Sequence, residues 1–289
     1  MRTVFLGTSD FAAAILGRLA NSPHRPQLVV TRPDRPRGRG RKLASPPVAE
    51  AARALDLELL QPENVNDESA RDRIAAAQPD AIVICAFGAL IREPLLSDHE
   101  MLNVHPSLLP RWRGAAPVER ALMAGDEQTG VAIMRPTAGL DSGPVFLAGV
   151  EPIAPGDTYG TLASRLRTLA ADLLIRTLDT RPEPVEQPDE GVTYAHKIGP
   201  DDRTLDPQAP AAVNDRVVRA LTPHIGARAE LADGALLGVL RAAVRDPTAA
   251  GPLHADDGRL FFGGLELLEV QPAGARPMDA AAYLRGHRF

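Results

Sequence analysis

The chain has 289 residues, 44% of them hydrophobic, a formal net charge of −5 and a single cysteine, Cys85. That length can bury a sizeable core and still leave material for a second domain, while one thiol excludes a disulfide framework and any multi-cysteine zinc site. The acidic balance confines nucleic-acid binding to a local basic patch, and no apolar run is long enough to span a bilayer.

Residues 1–7 look like an immediate strand and not a leader segment, so a cytoplasmic protein that binds no membrane is expected. The apolar run 3–6 ends at Gly7, and residues 11–19 carry Phe, Ala, Ile and Leu at helical spacing, with Asp10 placed as an N-cap. Residues 28–30 form the next strand candidate. The segment 32–42 then holds Arg32, Arg35, Arg37, Arg39, Arg41 and Lys42 against one acid, Asp34. Pro33, Pro36, Gly38 and Gly40 argue against helix or strand there, which predicts a mobile basic loop.

A helix is expected over 48–55, a weak strand over 58–60 and a helix over 69–77. The continuous apolar run 81–86 reads as a strand covered on both faces, as in a parallel sheet, with Cys85 as a buried structural thiol. Residues 102–104 supply a further strand that carries Asn103 and delivers His105 at its carboxyl end. Beyond it, 116–124 reads as helix and 130–134 and 145–150 as strands. Residues 161–178 read as a helix with Leu162, Leu166, Leu169 and Leu173 on one face.

Composition then shifts. The stretch 181–188, RPEPVEQP, cannot sustain a regular element, because proline removes donors and restricts the residue before it. Past residue 206 there is one helix candidate, Ala211–Leu221, followed by short strands at 227–231, 235–243, 251–255, 259–262 and 265–271. The predicted class is α/β: a Rossmann-like, mostly parallel sheet domain over 1–180, a linker over 181–205, and a small OB-like β-barrel over 206–289.

Asn103 and His105 stand two apart, so at the end of an extended strand their side chains share a face. Open α/β sheets bind ligands at the carboxyl ends of their strands, which puts this pair over a cleft. Asp141, in the LDSG stretch 140–143, is the candidate to orient or charge the imidazole. Taken singly, a strand-end histidine is more often structural, and an Asp-Ser-Gly sequence is an ordinary turn. The other histidines, His24, His99, His196, His224, His254 and His287, lack metal-ligand spacing, and no metal is expected. The GTSD loop at 7–10 is not a G-x-G-x-x-G fingerprint, which counts against a nicotinamide dehydrogenase.

Together, NVHPSLLP at 103–110 and LDSG at 140–143 resemble the folate-dependent formyltransferases. GTSDFA at 7–12, the arginine-rich run 31–42, RWRGAAP at 111–117 and QPAG at 271–274 resemble the branch that acts on methionyl-tRNA. The resemblance runs in order from residue 3 to about 285 and departs at Ser9, at Pro106 and around 221–228. It implies transfer of a formyl group from 10-formyltetrahydrofolate to the α-amine of methionyl-initiator-tRNA by a monomer. Asn103, His105 and Asp141 are then the catalytic set, and Ser107, Leu108, Leu109 and Pro110 the folate surface. Arg35, Arg37, Arg39, Arg41 and Lys42 become a clamp on the tRNA acceptor stem. Arg111 and Arg113 could meet the folate tail or the tRNA end, and 206–289 would contact tRNA. An aminosugar formyltransferase is the alternative within the family. A non-catalytic RNA-binding protein of the same fold is the alternative outside it.

Overall fold

The structure, a computed structural model, describes residues 1–37 and 42–287. They form two compact units. One comprises 1–113, 130–151 and 165–194; the other comprises 114–129, 152–164 and the chain from 195 onward.

The first unit is built on a seven-stranded sheet. Its spatial order is Val145–Pro152, Gln128–Met134, Met101–His105, Ala81–Cys85, Thr3–Gly7, Pro26–Val30 and Leu59–Leu60. The five strands from Met101–His105 to Leu59–Leu60 are mutually parallel, whereas Gln128–Met134 runs antiparallel to Met101–His105. Every residue of Thr3–Gly7 and of Ala81–Cys85 is buried. That explains their unbroken apolar runs: a strand covered on both faces cannot alternate. From Thr3–Gly7 the chain proceeds outward to Leu59–Leu60, then crosses back to place Ala81–Cys85 on the other side. A reversal of this kind is where open sheets of this class carry their ligand crevices, at the carboxyl ends of the central strands.

The loops that follow these strands are tied together. Only glycine fits at residue 7, because a Cβ there would sit 2.6 Å from the Phe5 ring and 2.9 Å from Ala12 Cβ. The Thr8 hydroxyl donates to the Phe87 carbonyl at 2.7 Å, joining the loops after the first and fourth parallel strands in chain order. The N-cap expectation needs one correction. Ser9, not Asp10, caps the helix Asp10–Ala20: its side chain accepts from Ala12 N–H, and Asp10 lies in the first turn. A hydroxyl one residue earlier reaches that orphan donor, and the carboxylate then meets the positive end of the helix dipole.

The helices expected at 48–55, 69–77, 116–124 and 161–178 are observed as Pro47–Ala54, Glu68–Ala76, Pro117–Ala124 and Tyr159–Thr180. Cys85 is 1% exposed, and burial pushes its thiol well above the ordinary range. The basic segment does contain strand. Arg35–Arg37 pairs antiparallel with Lys42–Ala44, setting Pro36 opposite Leu43. A two-stranded ribbon has only edge strands, where a proline lacking its N–H is tolerated. Gly38, Arg39, Gly40 and Arg41 lie outside the described residues.

In the second unit, a six-stranded antiparallel sheet runs Ala227–Glu230, Leu236–Val244, Leu265–Gln271, Arg259–Phe262 and Leu253–Asp256, with Met278–Asp279 also paired to Leu265–Gln271. Its apolar face, including Leu237, Val239, Leu260, Phe262, Leu265 and Val270, packs on Val218 and Leu221 of the helix Ala211–Leu221. No helix among the described residues is long and apolar enough to cross a membrane.

Candidate active site

The strand Met101–His105 is held on both sides, with Asn103 in register with Ile84 and Met134, and His105 with Ala132. This pairing fixes the direction of both side chains at the sheet's carboxyl end. His105 is buried, with 5% of its side chain exposed; Asn103 is half-buried. Across from them, the turn 139–144 delivers Asp141 with its backbone in the left-handed region, φ 44°. Asn103 Nδ2 donates to Asp141 Oδ1 at 3.4 Å, and His105 Nδ1 lies 3.6 Å from Asp141 Oδ2. Three side chains separated along the chain therefore face one another. Both separations exceed the roughly 2.7–3.2 Å of well-made N–H···O bonds, a looseness common in sites that tighten around substrate.

The imidazole's second nitrogen is already committed. His105 Nε2 lies 2.8 Å from the Trp112 carbonyl oxygen. A carbonyl only accepts, so Nε2 carries a proton, and Nδ1 is the nitrogen left for chemistry. Burial holds the His105 pKa below its ordinary value, against the opposing pull of the Asp141 carboxylate and then of the Trp112 carbonyl. The resting imidazole is thus neutral near pH 7, with an Nδ1 lone pair toward Asp141. Donation from Nδ1 requires a proton to arrive there first.

The turn 107–110 follows directly. Ser107 is fully buried: its N–H donates to the His105 carbonyl at 2.9 Å and its hydroxyl to the Arg111 carbonyl at 2.6 Å. The hydroxyl shapes the turn from within, while Leu108, Leu109 and Pro110 remain half-buried beside it. Leu108 packs over Gly130, where a Cβ would come within 2.5 Å of it.

Arg113, whose place beside the site pointed toward the folate tail or the tRNA end, donates from Nε and Nη2 to Gln187 Oε1 at 3.0 and 2.7 Å. Gln187 Nε2 in turn donates to the carbonyls of Asp141 and Gly143 at 2.8 and 2.7 Å. Gln187, the Trp112 carbonyl and Thr193, whose Oγ1 accepts from Trp112 N–H at 2.9 Å, are site residues that sequence reasoning missed. All three act through or upon backbone atoms, which carry no residue signature.

The basic ribbon is anchored at its base. Asp34 accepts from Gln61 at 2.7 Å and Ser45 at 2.8 Å, and these hydrogen bonds hold its carboxyl below the usual range. Arg35 and Lys42 are exposed. Arg35 reaches Glu63 at 4.0 Å, a distance that leaves the guanidinium available to another anion. Among the described residues, no group of three or more His, Cys, Asp or Glu is placed to hold a metal ion.

Residues 1–178 match the family described as formyl transferase. The whole chain aligns over 303 residues, at 44% identity, with a methionyl-tRNA formyltransferase of Halorhodospira halophila, of which it covers 97%. Among solved structures, HypX from Aquifex aeolicus in complex with tetrahydrofolic acid superposes with a TM-score of 0.68 at 15% identity, covering 98% of this chain and 47% of HypX. An N-formyltransferase from Helicobacter canadensis, complexed with folinic acid and dTDP-3-aminofucose, gives 0.65 at 12% identity over 96% of this chain and 100% of that one. The two structures support the α/β fold; the sequence relative narrows the family.

Proposed function

The chain belongs to the formyl transferase family, and from that membership we propose that it formylates the α-amine of methionyl-initiator-tRNA, with 10-formyltetrahydrofolate as donor. The observation that carries the mechanism is the convergence of Asn103 Nδ2 and His105 Nδ1 on the Asp141 carboxylate at the carboxyl end of the sheet.

The folate supplies a formyl carbon on a nitrogen leaving group. Asn103 presents an uncharged N–H donor to the formyl oxygen, where negative charge grows as the amine attacks. A donor of that kind is typically worth about 10²–10³ in rate. His105 takes the amine's proton on Nδ1, since Nε2–H is held by Trp112. The imidazolium so formed sits beside Asp141, which stabilises its charge and keeps the proton within reach of the departing nitrogen. Leu108, Leu109 and Pro110, shaped from beneath by Ser107, form the surface on which the folate lies.

Arg35, Arg37 and Lys42, with Arg39 and Arg41 between them in sequence, hold the tRNA by its phosphates. The division into a catalytic 1–180, a linker 181–205 and a tRNA-contacting 206–289, with the C-terminal sheet as an OB-like barrel, belongs to the same reading. So do a cytoplasmic location and a monomeric state.

The direct test is formylation of initiator against elongator methionyl-tRNA by wild type, Asn103→Ala and Asp141→Ala. Robust activity on the initiator alone, lost in both variants, is the expected result. The alternative, an aminosugar formyltransferase, draws on the likeness to the Helicobacter canadensis fold. Turnover of an amino-deoxy nucleotide sugar, with none of methionyl-tRNA, would put it first.

A further inference from the structure

We propose that Gln187 is a positioning residue that sets the Asp141 carboxylate against His105 and Asn103, and that the segment 185–193 braces the active site instead of merely spacing two domains. This deepens the reading above and rests on its assignment of the transfer to Asn103, His105 and Asp141.

The Gln187 side-chain amide has two donor hydrogens and two acceptor lone pairs, and all four are used. Its oxygen takes two N–H groups of Arg113, and its nitrogen gives both hydrogens to the carbonyls of Asp141 and Gly143. The partners also fix which way the amide faces. Turned over, it would set N–H against guanidinium N–H and oxygen against two carbonyl oxygens.

The turn it holds is one that resists its own conformation. Asp141 has φ 44°, in the region that L side chains disfavour, and such residues persist where surrounding structure over-determines them. Gly143 lies so close to the strand end that a Cβ would fall 2.0 Å from the Arg135 carbonyl oxygen, and Arg135 N–H donates to the Pro144 carbonyl at 2.9 Å. Gln187 closes the remaining side of that turn.

The same segment grips the histidine from the other direction. Thr193 accepts from Trp112 N–H through Oγ1 and from Arg113 N–H through its carbonyl, each at 2.9 Å. Trp112 is itself left-handed, φ 62°, and its carbonyl receives His105 Nε2–H. Val185 and Val145 exchange backbone hydrogen bonds at 2.8 and 2.9 Å, anchoring the start of the brace to the sheet. A stretch whose prolines forbid regular structure thus reaches both the turn that carries Asp141 and the turn whose carbonyl holds His105. Each turn is only one residue's bonding away from the chemistry.

Two substitutions separate positioning from bulk structure. Gln187→Ala removes all four bonds. Gln187→Glu retains acceptors for Arg113 but turns a carboxylate oxygen toward the Asp141 and Gly143 carbonyls. Steady-state kinetics with methionyl-initiator-tRNA and 10-formyltetrahydrofolate, on the full chain, should show kcat falling about 10–100-fold in both, since a misplacement near 1 Å can cost about 10². The tRNA KM should stay within about threefold, as no phosphate contact is touched. Combined with Asp141→Asn, Gln187→Ala should add less than about threefold, because a group acting through Asp141 has little left to act on.

If Gln187→Glu has wild-type kcat while Gln187→Ala fails, the amide serves only Arg113 and the proposal is overturned. Wild-type kcat in both variants, or full additivity with Asp141→Asn, also overturns it. Undiminished kcat in Asp141→Asn itself would instead overturn the underlying site assignment.

Discussion

The crevice at the end of Met101–His105 and the ribbon Arg35–Arg37 with Lys42–Ala44 both belong to the first unit, yet they are built on opposite logic. In the crevice, each reacting atom is fixed by its strand register or by a hydrogen bond from another element, and His105 is held neutral by burial. In the ribbon, Arg35 and Lys42 stand exposed on paired edge strands, and the base is fastened through Asp34. Bond-making needs atoms held within fractions of an ångström, whereas phosphate capture needs charge density and reach. On the proposed roles, the contrast separates two kinds of site: one should fail when displaced, the other when neutralised.

The sharpest way to break the comparison is to remove a side chain from the crevice. Asn103→Ala and Asp141→Ala should each lower kcat about 10²–10³-fold in single-turnover formylation, with the tRNA KM little changed. A loss confined to KM would mean that the crevice binds and does not catalyse. The ribbon should answer in the opposite sense. Gln at Arg35, Arg39, Arg41 and Lys42 should raise the tRNA KM about tenfold or more and spare kcat. The salt dependence of log KM should flatten by about one unit or less per contact removed. Hydrolysis of small formyl donors should be untouched, and unchanged tRNA kinetics would end the clamp reading.

Proton activity sharpens the comparison further. The His105 pKa is depressed in the folded protein, so catalysis through Nδ1 should persist as pH drops past the ordinary histidine value of about 6.5 and fail only below it. Asp141→Asn removes a carboxylate that raises this pKa, and the acid limb of kcat/KM should therefore move to still lower pH. Stability carries the same sign. The contribution of His105 is fully present above its unfolded pKa and is lost as pH falls through the depressed folded one, readable in denaturant midpoints against pH. The smallest effect lies outside both regions. Ser9→Ala removes a helix cap and should cost about 1 kcal/mol, a fall in Tm of roughly 2–4 °C, with kcat intact.

How much of this is legible in the sequence depends on where the information resides. Asn103 and His105 could be paired because side chains alternate along a strand, and Ala81–Cys85 could be recognised because a doubly covered strand is apolar throughout. Asp141 came from motif resemblance, since no local pattern says that a turn 36 residues on returns to the same crevice. Gln187 was hidden for a physical reason: it bonds to the backbones of Asp141 and Gly143, and carbonyl oxygens look alike in every residue. The RPEPVEQP stretch is irregular, as its prolines dictate, but irregular chain can still be closely held. The strand at Arg35–Arg37 is hidden by its proline and glycine content, which argues against strand except where, as here, a proline sits on an edge.

Cys85, at the end of its strand, has a practical use. Its thiol is sealed from solvent and hard to ionise, so alkylating reagents at neutral pH should leave it unmodified. A cysteine introduced at exposed Leu43 on the ribbon would then react alone, letting a single dye report tRNA arrival without prior removal of the native thiol.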